Sequence, residues 1–354
     1  MQDLHWRWNF NTRRFEFIEN DPRQHYEPLL RHVHVPTLVI DINLVSAQDL
    51  EGYALDVLDS AHAAQIRYQQ IIFDGTQDPV TDYDAKARIL DDFARGRGIV
   101  TYFALSQFGL SRHDHFREIN YPSWLFVFKK QSLPDWTDRE RAHSFSCLNR
   151  NPSMHRLILY TKIKQRGLLD RFIYSFYDRC PYQGHAVSAG RYPGLASMVD
   201  QDTADLCRRN IADFPLSWND EVLGANDHSI SHPAYQDAWC NIVTETSAVV
   251  SFTSEKIWKP IAAGQLFLIA GAPGTAAWLR SLGFHTFEDH YDLKINLAAR
   301  FDSLVDVIDQ HRDDVRAWWH ANRFSIEHNY HWFRSGNVEK SLLDPIINQL
   351  NHKY

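Results

Sequence analysis

The sequence predicts an α/β fold in two domains, each a parallel β-sheet covered on both faces by helices. Three observations predict it. The chain has 354 residues, more than one domain of ordinary size holds. Short unbroken apolar runs alternate with helix-length stretches, which is how strands buried on both faces read. The alternation is interrupted over residues 129–142 by a polar stretch containing Pro134, and then resumes. The expected domains are therefore residues 1–135 and 143–335. Residues 336–354 are expected to include a last helix that crosses back to the first domain.

The elements follow in order. Residues 1–30 are polar and aromatic without a clear period, and are expected as an irregular cap or a short hairpin. Thr37-Leu38-Val39-Ile40-Asp41 is the first apolar run and ends in an acid; a helical stretch over 47–64 follows. Gln70-Ile71-Ile72-Phe73-Asp74 repeats that form and meets Gly75. Residues 83–95 carry Tyr83, Ala87, Ile89, Leu90 and Phe93 as a helix, and 98–103 and 124–128 read as the third and fourth strands.

Beyond the link, 144–148 is a strand and 149–153 a turn able to cap a helix. That helix runs over 154–166, with Leu157, Ile158, Tyr160, Thr161 and Ile163 toward the core and Gly167 as its stop. Residues 172–176 form the next strand. Residues 180–235 hold short proline-bearing pieces and a helix near 200–210. Then come a strand at 238–245, a helix at 255–263, a strand at 266–270, and helices at 275–282, 301–310, 311–327 and 338–350. No internal repeat interrupts this order.

Composition excludes several classes. At 44% hydrophobic and 23% charged residues the chain is not disordered, and 15 Gly with 14 Pro exclude a collagen-like or linker protein. Lys and Arg total 37 against 44 Asp and Glu, a formal charge of −7, which speaks against a general basic footprint for nucleic acid and leaves a local patch open. Cys147, Cys180, Cys207 and Cys240 lie far apart with no C-x-x-C, so reduced, mostly buried thiols are expected. The 19 His are scattered, and no single metal site follows from them. No signal peptide is read at the N-terminus, and no apolar run approaches the roughly 18 residues that span a bilayer. A cytoplasmic protein is expected.

Strands ending in Asp41 and Asp74 place carboxylates at the edge where open α/β sheets bind ligands. Residues 240–292 are the most informative stretch. Ser254 stands as an N-cap before Glu255-Lys256, so a lysine adds charge where free backbone N–H groups already point. Such a site suits a diphosphate, and Glu255 beside it suits ribose hydroxyls. Ser-Glu-Lys is equally the start of an ordinary exposed helix. Gly271-Ala272-Pro273-Gly274 is a tight turn after a buried strand, open to a phosphate but also simply a turn. Asp82-Tyr83-Asp84 has the spacing of metal-dependent sugar transferases, yet lies at a helix start where capping alone favours acids. His113-Asp114-His115 and the pair His228 and His232 are weak metal candidates. Trp318-Trp319 and the 328–332 stretch suit ring stacking, or a helix packing its aromatic face on the core. G-x-G-x-x-G, the P-loop motif and G-x-S-x-G are absent.

A resemblance adds to this reading. Thr244-Glu245-Thr246, followed by Phe252-Thr253-Ser254-Glu255-Lys256-Ile257-Trp258-Lys259-Pro260-Ile261-Ala262-Ala263-Gly264 and an apolar strand, resembles the donor-binding segment of the α1,3-fucosyltransferase family. The stretch Phe145-Ser146-Cys147-Leu148-Asn149-Arg150, with His155-Arg156 after it, resembles that family's preceding strand, and together they cover residues 143–292. The family's Asn and Tyr upstream of its Thr-Glu-Lys have no match, since Ser247-Ala248-Val249-Val250 stands there.

The resemblance implies two Rossmann-like domains whose parallel sheets face a central cleft (GT-B-like), the first for the acceptor and the second for a nucleotide-sugar donor. It implies an inverting glycosyl transfer that needs no metal or other cofactor. Asn149, Arg150, Arg156, Thr244, Glu245, Ser254, Glu255 and Lys256 would bind the donor, with Lys256 and Arg156 or Arg150 on the diphosphate and Glu255 on the ribose. A carboxylate of the first domain, Asp74 or Asp41, would serve as general base. The acceptor is a glycan, a lipid-linked group or a nucleic acid such as modified DNA. The alternatives are a non-catalytic two-domain module that binds a nucleotide or glycan, and a metal-dependent transferase.

Overall fold

A computed structural model describes residues 5–9, 14–17, 26–43, 45–76, 82–106, 113–131, 140–149, 153–176, 195–216, 230–291 and 296–352. The chain divides into two compact units. The first comprises Met1–Gln131, Phe252–Ser254 and Ser335–Tyr354, and the second Ser132–Ser251 and Glu255–Arg334.

The first unit holds β1 (His5–Asn9), β2 (Arg14–Phe17), β3 (Thr37–Asp41), β4 (Gln70–Gly75), β5 (Val100–Leu105) and β6 (Phe116–Asn120), ordered β2-β1-β3-β4-β5-β6. All neighbours are parallel except the β1–β2 hairpin. Every residue of β3 and β4 is buried, as strands covered on both faces require. Between the strands lie α1 (Glu27–Leu30), α2 (Ala47–Ala63) and α3 (Tyr83–Arg97), and α4 (Ser123–Lys129) follows β6. Leu50 and Val57 of α2 and Leu90 and Phe93 of α3 share one core with Leu38, Ile40, Ile71 and Phe73.

Two expectations change here, and one of two alternatives is decided. The opening residues form a hairpin whose β1 extends the main sheet beside β3. Residues 124–128 are not a strand but the body of α4. A five-residue apolar run fits either element; Pro122 at the N-cap and a partly exposed face at Trp124 and Val127, three residues apart, make it helical. The strand there is β6, whose Arg117 and Glu118 break the apolar signal, as an edge strand allows. Gly98, at φ +62°, closes α3 in the left-handed region, so β5 starts at Val100.

The second unit holds β7 (His143–Asn149), β8 (Phe172–Phe176), β9 (Ala238–Val243) and β10 (Leu266–Ile269), all parallel in the order β10-β9-β7-β8. Its helices are α5 (Met154–Gln165), α6 (Leu195–Met198), α7 (Gln201–Asn210), α8 (Pro233–Gln236), α9 (Glu255–Ala262), α10 (Gly274–Ser281), α11 (Leu297–Gln310), α12 (Val315–Ala321) and α13 (Arg323–Arg334). The helix expected at 311–327 is two, α12 and α13, parted at Asn322. The middle of α5 is buried all round, from His155 to Ile163, because α7 and α11 also pack on it. Trp318 and Trp319 are core residues.

The chain closes with α14 (Gly336–Asn351), which belongs to the first unit. It buries Val338, Leu342, Leu343, Ile346 and Leu350. Lys129 pairs with Glu339 at 3.2 Å, and Asn351 bonds the backbone of His32 and His34.

Candidate functional site

In the second sheet β7 lies between β8 and β9, so the chain leaves β7 to one side and later returns to the other. Open α/β sheets bind ligands outside the carboxyl ends of the strands at such a reversal. In the first sheet β3, β4, β5 and β6 follow one another in a single direction, and the change of direction falls at β1, between the antiparallel β2 and the parallel β3.

Asn149 ends β7, and Thr244 and Glu245 directly follow β9. The two sides of the reversal are tied together: Thr244 Oγ1 donates to Asn149 Oδ1 at 2.5 Å. Asn149 Nδ2 donates to the Tyr174 hydroxyl at 3.1 Å and to Cys147 Sγ at 3.3 Å. Burial pushes the Cys147 thiol up to about 12 and the Tyr174 hydroxyl well above its usual value, so both are neutral.

Helix α5 starts at the same edge and delivers His155 and Arg156. Burial, with Arg156 adding to it, drives the His155 imidazole down to about 3. It is neutral: Nε2–H donates to the Glu245 carbonyl at 2.9 Å and Nδ1 accepts from the Ser153 hydroxyl at 3.2 Å. Arg156 is 2% exposed, and its Nη2 donates to the carbonyls of Thr244 at 3.1 Å and Glu245 at 3.3 Å. Two side chains of one helix turn therefore clamp the segment leaving β9. Arg156, expected on a diphosphate, has Nη2 on backbone carbonyls.

Glu255 and Lys256 open α9, and Lys256 Nζ donates to Glu255 Oε1 at 2.6 Å. Their side chains keep 19% and 18% of their exposure, so the pair is neither a bulk-solvent feature nor sealed. Burial acts to raise the Glu255 carboxyl, but Lys256 and Lys259 outweigh it and hold it at about 2. Lys259 is buried with Nζ 5.3 Å from the centre of the Tyr235 ring. Around this edge stand three cations, Arg156, Lys256 and Lys259, and two carboxylates, Glu245 and Glu255. Even with both carboxylates ionised, positive charge is in excess, and the N-terminus of α9 adds to it. The arrangement suits an anion. Ser254 is buried and groups, with Phe252 and Thr253, with the first unit. Arg150 lies outside the described residues.

In the first unit Asp41 and Asp74 are paired in register at the carboxyl ends of β3 and β4. Side-by-side carboxylates need a counter-charge, and Arg7 of β1 supplies it. Its Nη2 is 2.9 Å from Asp41 Oδ2 and 3.8 Å from Asp74 Oδ2. Asp41 Oδ1 also accepts from Asn43, and Asp74 Oδ1 from the amide and hydroxyl of Thr76. Asp74 has no exposed surface, while the Asp41 side chain keeps 10%.

The competing motifs are placed as follows. Asp82 Oδ2 accepts from the first amide of α2 at Ala47, and Oδ1 pairs with Lys86 at 3.3 Å. His113 Nε2 lies 2.8 Å from the Tyr83 hydroxyl and 3.5 Å from Glu118 Oε1. His232 caps α8 through Nδ1, and His228 falls outside the described residues. Among the described residues no three His, Cys, Asp or Glu side chains gather as metal ligands. Sequence reasoning missed Arg7 and Lys259. Arg7, between Trp6 and Trp8 in a stretch without period, gave no signal; Lys259, one helical turn after Lys256, did.

No family model matches this chain, and no curated protein does. Among solved structures it is similar to the DNA-modifying enzyme β-glucosyltransferase, determined with and without its substrate uridine diphosphoglucose. The identity is 11% over 89% of this chain and 82% of that one, with a TM-score of 0.44. It is also similar to an α1,3-fucosyltransferase, at 9% identity over 86% of this chain and 91% of that one, with a TM-score of 0.36.

Proposed function

We propose that the second unit binds a nucleotide-sugar donor at the β7–β9 reversal and that the protein is a glycosyltransferase. The observation that carries this reading is the Glu255–Lys256 pair opening α9 beside a buried excess of positive charge. In the transfer the bond between the sugar and the diphosphate breaks, and a new bond forms to an acceptor hydroxyl. Negative charge grows on the departing diphosphate, where Lys256, Lys259 and the α9 N-terminus stabilise it; fixed cations of this kind do the work of a divalent metal. Glu255 accepts from ribose hydroxyls, and the clamp of His155 and Arg156 holds Glu245 at the edge. An inverting reaction needs a base for the acceptor proton. Asp41, with part of its side chain exposed, suits that role better than Asp74, which is fully buried. Glycan, lipid-linked and nucleic-acid acceptors, modified DNA included, all offer the required hydroxyl.

Thermal-shift screening against GDP, UDP, CMP and TDP sugars tests the reading, because a ligand of the folded state raises the melting temperature. The matching donor should support transfer that survives a chelator, and Lys256→Ala should lower kcat by about two to three orders of magnitude. A second reading, a binding module without turnover, is favoured by one observation: Asp41 and Asp74 are both engaged by Arg7. Donor binding with neither transfer nor hydrolysis would decide for it. Activity lost in chelator would favour a metal-dependent transferase instead.

A further inference from the structure

The turn that ends α10 is bonded along one face of α13, both in the second unit. On the helix the bonds come from Ser325, His328, Asn329 and Trp332, a spacing that keeps all four on one side. Trp332 Nε1 donates to the Leu282 carbonyl at 2.8 Å, and His328 Nε2 to the Gly283 carbonyl at 2.9 Å. Asn329 grips the backbone of His285 twice: Oδ1 accepts from its amide at 2.7 Å and Nδ2 donates to its carbonyl at 2.8 Å. His285 Nδ1 lies 3.0 Å from the Ser325 hydroxyl. Gly283, at φ +90°, is pressed under the Trp332 ring, where a Cβ would come within 3.0 Å.

Two imidazoles lie face to face inside this contact. The rings of His285 and His328 are 4.2 Å apart between centroids and 18° between planes, with Trp332 beside His328 at 6.1 Å and Phe324 beside His285 at 6.0 Å. A carbonyl only accepts, so His328 carries its proton on Nε2 and takes a second on Nδ1. The Ser325 hydroxyl can donate to His285 Nδ1 or accept from it. Neither bond therefore depends on the charge of the ring, and charge acts through the stack instead. One proton is tolerated; two set like charges against each other across the rings. The charged groups on the packed elements have partners of their own. On α13 Glu327 lies 3.8 Å from Arg323 and 3.9 Å from His331, and after α10 Glu288 pairs with Arg280. Burial first, and then His328, hold the His285 imidazole below its usual value.

We propose that the stacked His285–His328 pair is a pH-sensitive latch, which holds the turn at 282–285 on α13 at neutral pH and releases it in mild acid. The latch depends neither on the donor site nor on the transferase reading. The released turn binds both protons in the ordinary imidazole range, whereas the latched turn binds the second only at lower pH. Latching is therefore complete above that range and weakens as pH falls through it.

Hydrogen exchange of the full chain, followed by mass spectrometry over 282–286 and corrected for the intrinsic effect of pH, tests the latch. Protection there should fall by roughly threefold or more between about pH 7.5 and about pH 5.5, while β9 keeps its own. His328→Gln still offers a donor to the Gly283 carbonyl but removes one charge, so it should stay protected at neutral pH and lose more than half of the change. The proposal is overturned if protection over 282–286 ignores pH, if β9 loses protection in parallel, or if His328→Gln shows the full wild-type change. Should His328→Gln be open at every pH, His285→Gln, which leaves the His328 bond to Gly283 in place, must lose the change instead, and a full wild-type change in it overturns the latch equally.

Discussion

Glu118 shows how one side chain can set a pH dependence. Its Oε1 is buried, has no hydrogen bond and lies 3.5 Å from His113 Nε2. Burial raises its carboxyl from 4.5 to about 7. The folded state therefore holds this proton more tightly than the unfolded state. The contribution is fully present below the unfolded value and is lost as pH rises through the folded one. Glu118→Gln should match the wild type in urea midpoint near pH 4, and exceed it at about pH 8 by roughly 1–2 kcal/mol, a figure reduced for the side chain's 21% exposure. A difference that ignores pH would refute this. Glu255 behaves with the opposite sign. Its carboxyl is held at about 2, so its contribution exists above 4.5 and disappears as pH falls through 2. Glu255→Gln should cost roughly 1–3 kcal/mol at neutral pH, because Lys256 and Lys259 lose their counter-charge, and little in strong acid. At this scale the sequence singled out Glu255 and Lys256 by type and spacing, and Asn149 and Thr244 through the resemblance. It did not reveal that Arg156 turns inward to carbonyls, because the direction of a long side chain depends on packing that spacing does not encode.

Single residues also decide how elements end. Arg141 is buried and donates to the carbonyls of Gln236, Ala238, Ala263 and Gly264, with Trp239 and Trp319 on its flanks. It thus satisfies the last carbonyls of α8 and the turn that closes α9, a role usually left to glycine or water. Arg141→Ala should lower unfolding free energy by about 3 kcal/mol or more, and Arg141→Lys should recover less than half, since a single ammonium cannot reach both groups. Full recovery by lysine would refute the fork geometry. Two glycines rank in order. Gly98→Ala meets open space and should cost about 1 kcal/mol for its positive φ alone. Gly283→Ala adds a clash with the Trp332 ring at 3.0 Å and should cost at least twice that, read from denaturant midpoints. Long or glycine-terminated elements such as α2, α3 and α5 were legible in the sequence. The exchange of α4 for a strand and the omission of β6 came from short segments, where an apolar run or a charged edge strand carries no reliable period.

At the scale of the molecule, two parallel-sheet units were legible, because each unit repeats the same alternation of buried strands and helices. The order of the strands was not, and it matters most: in the second sheet it sets β7 between two parallel neighbours on opposite sides, where topology points to a ligand. Strand order depends on pairings between distant segments, which a single sequence does not display. The first unit is discontinuous, with α14 sealing it through five buried apolar side chains. Deleting residues 336–354 should therefore expose β3, β4 and β5 to amide exchange while β7 and β9 keep their protection. Uniform loss across both sheets would contradict that.

The discontinuity also sets a schedule for biosynthesis. Proteins with several domains generally mature from the N-terminus as the ribosome delivers them. Here the leading half must wait for the trailing helix, whereas the later half has all its segments once Arg334 has emerged. Its nascent chain should thus reach native order back to front, with the half made first remaining the longest in need of chaperone cover.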